Sequence, residues 1–149
     1  MRAVVQRVSQ ASVNVDRQLC GSIGCGLLVL LGIGKNDSEQ EAKLLADKIV
    51  NLRIFDDAQG LMNLSLTETQ GEMLVVSQFT LFGDCRKGRR PSYSTAAQPG
   101  KALRLYEQFI REVRAKKITV ATGKFQAMMD VSLVNNGPVT LLLDTEKQF

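Results

Sequence analysis

Two stretches of this 149-residue chain carry a helical period, and they are too few and too unevenly placed for a regular strand–helix alternation. Ser38 and Glu41 have capping-box spacing, and Ala42, Leu45, Ile49 and Leu52 then recur at steps of three and four. Pro99, suited to a first helical turn, precedes the second pattern of Ala102, Tyr106, Phe109, Ile110 and Val113. The remaining apolar segments read as strands. Ala3 to Val15 alternates, with a break near Gln10, and Asp16-Arg17-Gln18 turns the chain towards a hairpin partner at Leu19 to Ile23. Leu27 to Ile33 has the continuous apolar run of a strand buried on both faces. Arg53-Ile54-Phe55 is a short strand followed by a turn through Gly60, and Met73 to Phe82 is a longer one. Gly83 to Gln98 has no period and reads as a long loop. Phe125, Ala127, Met129, Val131 and Leu133 alternate as a strand, and Asn136-Gly137 reads as a hairpin turn into a last strand from Val139 to Leu143. The order predicts an α+β fold with a largely antiparallel sheet and two main amphipathic helices in one domain, 1–149.

With 44% hydrophobic and 23% charged residues, composition is that of a soluble globular protein. The longest apolar run falls far short of the ~20 residues that span a bilayer. Arg2 and Arg7 interrupt the N-terminal apolar residues, so no signal peptide is expected and the cytoplasm is the default location. Cys20, Cys25 and Cys85, with no histidine beside them, make a poor zinc set. They read as small buried or semi-exposed thiols, and neither a metal nor an organic cofactor is expected. A net charge of +4 permits an RNA partner. Basic residues cluster at Arg86, Lys87, Arg89 and Arg90, and again at Arg111, Arg114, Lys116 and Lys117, where phosphate contact is expected.

The absence of histidine excludes Ser-His-Asp and Cys-His devices, so hydrolysis here has to draw on backbone donors, hydroxyls, carboxylates or the substrate itself. Two segments then stand out: Ser77-Gln78-Phe79-Thr80-Leu81 and Asn135-Asn136-Gly137-Pro138-Val139-Thr140. Read alone, the first is a strand with Phe79 and Leu81 inward, and the second is a hairpin turn. Pro138 complicates the turn, because it removes a donor where the next strand would begin. A Gly-Pro bond also needs only about 0.5–1 kcal/mol to become cis.

Together with Met1-Arg2-Ala3-Val4-Val5-Gln6-Arg7-Val8, Gly26 to Gly32, Asn51 to Phe55 and Arg90-Pro91-Ser92, these segments resemble the D-aminoacyl-tRNA deacylases nearly end to end. The resemblance implies a sheet curved towards a barrel and a homodimer in which the Gly137-Pro138 segment, cis, enters the partner subunit's active site as a main-chain chiral filter. It implies a binding floor of Ser77, Gln78, Phe79 and Thr80. The Phe79 and Thr80 amides would serve an oxyanion there, Ser77 and Gln78 would orient the substrate, and Phe79 would stack on or line the place of the terminal adenine. Read alone, Arg7 sits on the solvated face of an otherwise apolar edge strand; by the resemblance it would hold the Gly-Pro segment by its carbonyls. Asn136 stands where the family commonly has an acidic residue. Arg86, Lys87, Arg89 and Arg90 would lie beside the tRNA acceptor stem. The implied reaction cleaves D-aminoacyl-tRNA, and glycyl-tRNA in part, to free amino acid and tRNA. Neither a membrane nor DNA is an expected partner. With no base beside Thr80, the substrate's own 2′-hydroxyl is the favoured assistant to water. The rival readings are a non-catalytic tRNA- or ribosome-binding module and a small-ester esterase using Thr80.

Overall fold

A long strand, β1 (Arg2–Val15), organises the sheet. It pairs antiparallel with β2 (Gln18–Ile23), β3 (Gly26–Gly32) and β8 (Asp130–Asp144). The computed structural model describes residues 1–148. β6 (Glu72–Ser77) and β7 (Val120–Thr122) extend the sheet in parallel, giving the order β2-β1-β3-β6-β7 with β8 on the other side of β1. A separate hairpin joins β4 (Phe55–Asp56) to β5 (Met62–Leu64). The helices are α1 (Glu39–Val50), one turn at α2 (Leu66–Thr69) and α3 (Pro99–Ala115).

The sheet curls until β2 meets β7. Gly21 sits at that seam, where a Cβ would stand 2.8 Å from the Thr122 carbonyl oxygen, so only glycine lets the two edges come this close. The curl creates two apolar interiors. Ala3, Val5, Leu27, Val29, Leu31, Met73 and Val75 face α1 and α3, while Val8, Ala11, Val13, Leu28, Leu74 and Val76 face the inside of the barrel-like sheet. β3 and β6 are therefore buried on both faces, which explains their unbroken apolar runs. On the helices, Ala42, Leu45 and Ile49 meet Leu105, Phe109 and Val113. Ser38 and Glu41 close the α1 capping box, and hydrogen bonds from Ser38 lower the Glu41 pKa.

Several sequence expectations need correction. The break near Gln10 is a bulge, since β1 continues through it while its pairing with β8 shifts between Val8 and Gln10. One extra residue switches the alternation, so Val8, Ala11 and Val13 share the barrel interior. β1 is also an interior strand, so Arg7 does not lie on a solvated edge. The strand expected from Met73 to Phe82 ends at Ser77, and Phe79–Phe82 is a 3₁₀ turn. The alternating residues before Asp130 precede β8 rather than belong to it, and no hairpin separates two final strands. β8 is one strand: between Thr140 and Asn135 it advances five positions while β1 advances two, from Gln6 to Val8, and the surplus loops out around Asn136-Gly137-Pro138. The three cysteines are all exposed free thiols.

Candidate active site

The end of β6 opens onto a cleft of about 750 Å³ lined by Ser77, Gln78, Phe79 and Thr80. The parallel ladder carries past Ser77, because the Gln78 amide still donates to the Leu31 carbonyl at 2.8 Å. The chain then tightens into the 3₁₀ turn, where the Leu81 amide reaches the Gln78 carbonyl. A helical start leaves its first amides without intrahelical acceptors. Neither the Phe79 nor the Thr80 amide has an acceptor among the described residues. Two backbone donors thus remain unused at residues that line the cleft. The Gln78 side-chain amide donates to the Thr80 hydroxyl oxygen, and a carboxamide cannot take a proton from that hydroxyl at neutral pH.

Phe79 is 59% exposed, so it does not pack inward as a strand residue would. Its ring meets Tyr93 edge-on at 5.1 Å. Tyr93 comes from the 83–98 loop, which composition identifies as a loop without revealing that Tyr93, Ala96 and Gln98 would line the cleft. Met128 and Met129 line it from the segment before β8, and Met128 is 90% exposed. A methionine this open on an apolar rim is the signal the strand-like alternation concealed.

Arg7, Asn136, Gly137 and Pro138 form a second group, and none of them lines the cleft. Arg7 is 7% exposed and donates to three oxygens: the carbonyls of Ile54 at 2.7 Å and Asn136 at 3.2 Å, and Asp56 Oδ1 at 3.2 Å. Its rigid fork ties the β4 entrance to the loop in β8. Asn135, to which the sequence motif assigns no role, closes the base of that loop by donating to the Arg7 carbonyl at 2.9 Å and the Val139 carbonyl at 3.0 Å. The Gly137-Pro138 peptide is cis, and Gly137 has φ 119°, a region that disfavours side chains. A Cβ there would stand 2.9 Å from Arg7 Nη2 and 2.8 Å from Val139 Cγ2. Asn136, Gly137 and Pro138 are exposed, presented outward by a buried clamp.

The basic loop contains an internal pair. Arg86 chelates Asp84 at 2.9 and 2.7 Å, which holds the Asp84 carboxyl well below the usual range. Lys87, Arg89 and Arg90 are exposed and have no acidic partner among the described residues. No group of His, Cys, Asp and Glu among the described residues is arranged to hold a metal ion. No helix among them is long and apolar enough to cross a membrane.

The family model described as D-Tyr-tRNA(Tyr) deacylase matches residues 4–144. The chain belongs to that family. Curated D-aminoacyl-tRNA deacylases from Thermosipho africanus and Thermotoga petrophila are 60% and 57% identical to this deacylase-family chain over 149 residues, covering the whole of both sequences. Among solved structures, one titled c-Myc DNA Unwinding Element Binding Protein is 40% identical, with a TM-score of 0.91, covering 97% of this chain and 99% of that one. A probable eukaryotic D-amino acid tRNA deacylase is 18% identical and shares the fold, with a TM-score of 0.82 over 95% of this chain and 97% of that one.

Proposed function

We propose that this protein hydrolyses the ester bond of D-aminoacyl-tRNA, releasing D-amino acid and tRNA. The observation that carries the reading is the pair of unused amides at Phe79 and Thr80 in the cleft of a deacylase-family chain. As the ester carbonyl becomes tetrahedral its oxygen gains charge, and each fixed donor aimed at that oxygen is worth about 3–4 kcal/mol. Gln78 and Ser77 orient the aminoacyl group, and the exposed Phe79 ring receives the terminal adenine. Water attacks with help from the vicinal 2′-hydroxyl of the substrate, which supplies the proximity that a protein base would otherwise provide.

Chirality is read by main chain. In a homodimer, the outward Gly137-Pro138 segment of one protomer enters the cleft of its partner, where its carbonyls accept a D-amino acid's amino group and leave no room for an L side chain. Support comes from the Arg7 clamp behind the segment and from β8 itself. The outer edge of β8 pairs with no strand among the described residues, and Val134 and Leu142 on the same strand are 48% and 64% exposed. A long unpaired edge beside exposed apolar side chains favours a partner strand. The whole of 1–149 acts as one domain in the cytoplasm.

A second reading rests on the solved relative titled as a DNA unwinding element binding protein: a nucleic-acid-binding module without turnover. The two are separated by incubating D-tyrosyl-tRNA in large excess over protein. Many ester bonds cleaved per protein molecule, with uncharged tRNA competing, is the expected result. Stoichiometric retention without hydrolysis would establish the binding module, and hydrolysis indifferent to uncharged tRNA would indicate a small-ester esterase.

The exposed Lys87, Arg89 and Arg90 contact the acceptor stem. Reversing the charge at Arg89 and Arg90 is expected to weaken tRNA binding and to lower the salt slope by roughly 0.7–0.9 for each phosphate no longer neutralised. Hydrolysis of D-tyrosyl-adenosine, which has no phosphate, should be unaffected. An unchanged salt slope would show the loop to be a solvated bystander.

A further inference from the structure

Helix α3 lines two clefts in succession. Pro99 and Ala102 face the cleft that holds Ser77–Thr80, and further along the helix Tyr106, Ile110, Arg111 and Arg114 line a second cleft of about 430 Å³. Gly123 and Phe125, between β7 and β8, form its opposite wall. Phe125 lines both clefts, so the two are neighbours separated by one ring. That ring packs against Tyr106 at 5.9 Å. The Tyr106 hydroxyl is fixed by donating to the Val75 carbonyl at 2.8 Å, and burial raises its pKa, so it stays a neutral part of the wall.

The charges on α3 divide by face. Arg104 on the helix and Lys116 just past its end turn to α1, where Glu39 and Asp47 pair with them at 3.6 and 2.5 Å. Arg111 and Arg114 have only neutral partners, the Gln108 side-chain oxygen at 2.6 Å and the Val120 carbonyl at 3.3 Å, and no carboxylate pairs with either among the described residues. Glu107 is the one acid in the lining, which leaves the second cleft with a positive excess. At 1.5 Å per residue, Arg111 and Arg114 stand about 14 and 18 Å along the axis from Ala102, the span of a few nucleotides. Cationic side chains along a groove with an aromatic wall are the combination that holds single-stranded nucleic acid.

We propose that this second cleft takes the unpaired 3′ end of the substrate RNA just upstream of the terminal adenosine, with Arg111 and Arg114 contacting its phosphates. The inference rests on an aminoacyl-tRNA being the substrate. The ester lies in the first cleft, and the strand crosses Phe125 to reach Arg111 and Arg114.

The test compares the wild type with Arg111→Glu/Arg114→Glu and the milder Arg111→Gln/Arg114→Gln on D-tyrosyl-tRNA and on D-tyrosyl-adenosine. For the tRNA, the charge-reversed variant is expected to raise KM about tenfold and to lower the salt slope by about 1.4, two single-strand phosphates at about 0.7 each, with the glutamine variant between it and the wild type. For the adenosine ester, KM should not move. An unchanged KM and salt slope for tRNA in both variants would overturn the proposal, as would an equal loss on both substrates, which would place the arginines in the support of the fold. Wild-type protein that hydrolyses neither ester would remove the deacylase reading and this proposal with it. Competition by single-stranded DNA as effective as by RNA would show a general anionic groove and contradict an RNA site.

Discussion

An otherwise complete D-aminoacyl-tRNA that lacks the 2′-hydroxyl on its terminal ribose is expected to be inert, whereas Thr80→Val should keep at least about a tenth of the wild-type rate, a barrier change of no more than about 1.4 kcal/mol. The expectation follows from what surrounds Thr80. Its hydroxyl receives a hydrogen bond from the Gln78 carboxamide, which cannot act as a base, and the chain has no histidine to bring. A hydroxyl in that setting is no stronger a nucleophile than water. The Thr80 contribution is then its backbone amide, which valine retains. Single-turnover decay of the two substrates with the two proteins decides the matter. Loss of all activity in Thr80→Val with the deoxy substrate still cleaved would make Thr80 the nucleophile.

Gly137→Ala is the second substitution with a large expected effect. The new Cβ would stand 2.8 Å from Val139 Cγ2 and 2.9 Å from Arg7 Nη2 at a φ that side chains rarely adopt. Accommodating it shifts the loop that Arg7 and Asn135 fix, and a shift of about 1 Å at a positioning element costs about a hundredfold in rate. D-tyrosyl-tRNA hydrolysis is expected to fall by about that factor, and the ratio of D to L hydrolysis should fall too, because the surface that collides with L side chains has moved. Arg7→Ala should do the same by releasing the Asn136 carbonyl, with an added stability loss of about 1–3 kcal/mol from the buried Ile54 carbonyl it leaves unpaired. Glycyl-tRNA, with no side chain to collide, is expected to be cleaved by the wild type. Full chiral selectivity in Gly137→Ala, or in a protein that sediments as a monomer, would contradict a filter supplied by the partner.

The two helices and the buried strands were legible because each signal was local: a capping box with a 3.6-residue period, or an apolar run that fits a strand covered on both faces. The last third was less so. Asn-Gly followed by proline has hairpin chemistry, yet β1 is long enough to pair with β8 on both sides of the loop, so tertiary pairing overrides the turn. Phe125, Ala127 and Met129 alternate as a strand does, but they line a cleft instead of joining a ladder. β7 is three residues long, too short to show any period. Family motifs singled out both Ser77–Thr80 and Gly137-Pro138 in the sequence. That they lie in separate places on one chain follows only from the three-dimensional arrangement. Arg7 shows the same limit: an arginine among valines reads as solvated until the Ile54, Asp56 and Asn136 oxygens converge on it.

The most direct measurement is the decay of matched D- and L-tyrosyl-tRNA with catalytic amounts of the protein, with and without EDTA. Rapid loss of the D ester alone, unchanged by chelation, is the predicted result. Equal decay of both esters, or survival of both, would contradict a main-chain filter acting with backbone oxyanion donors.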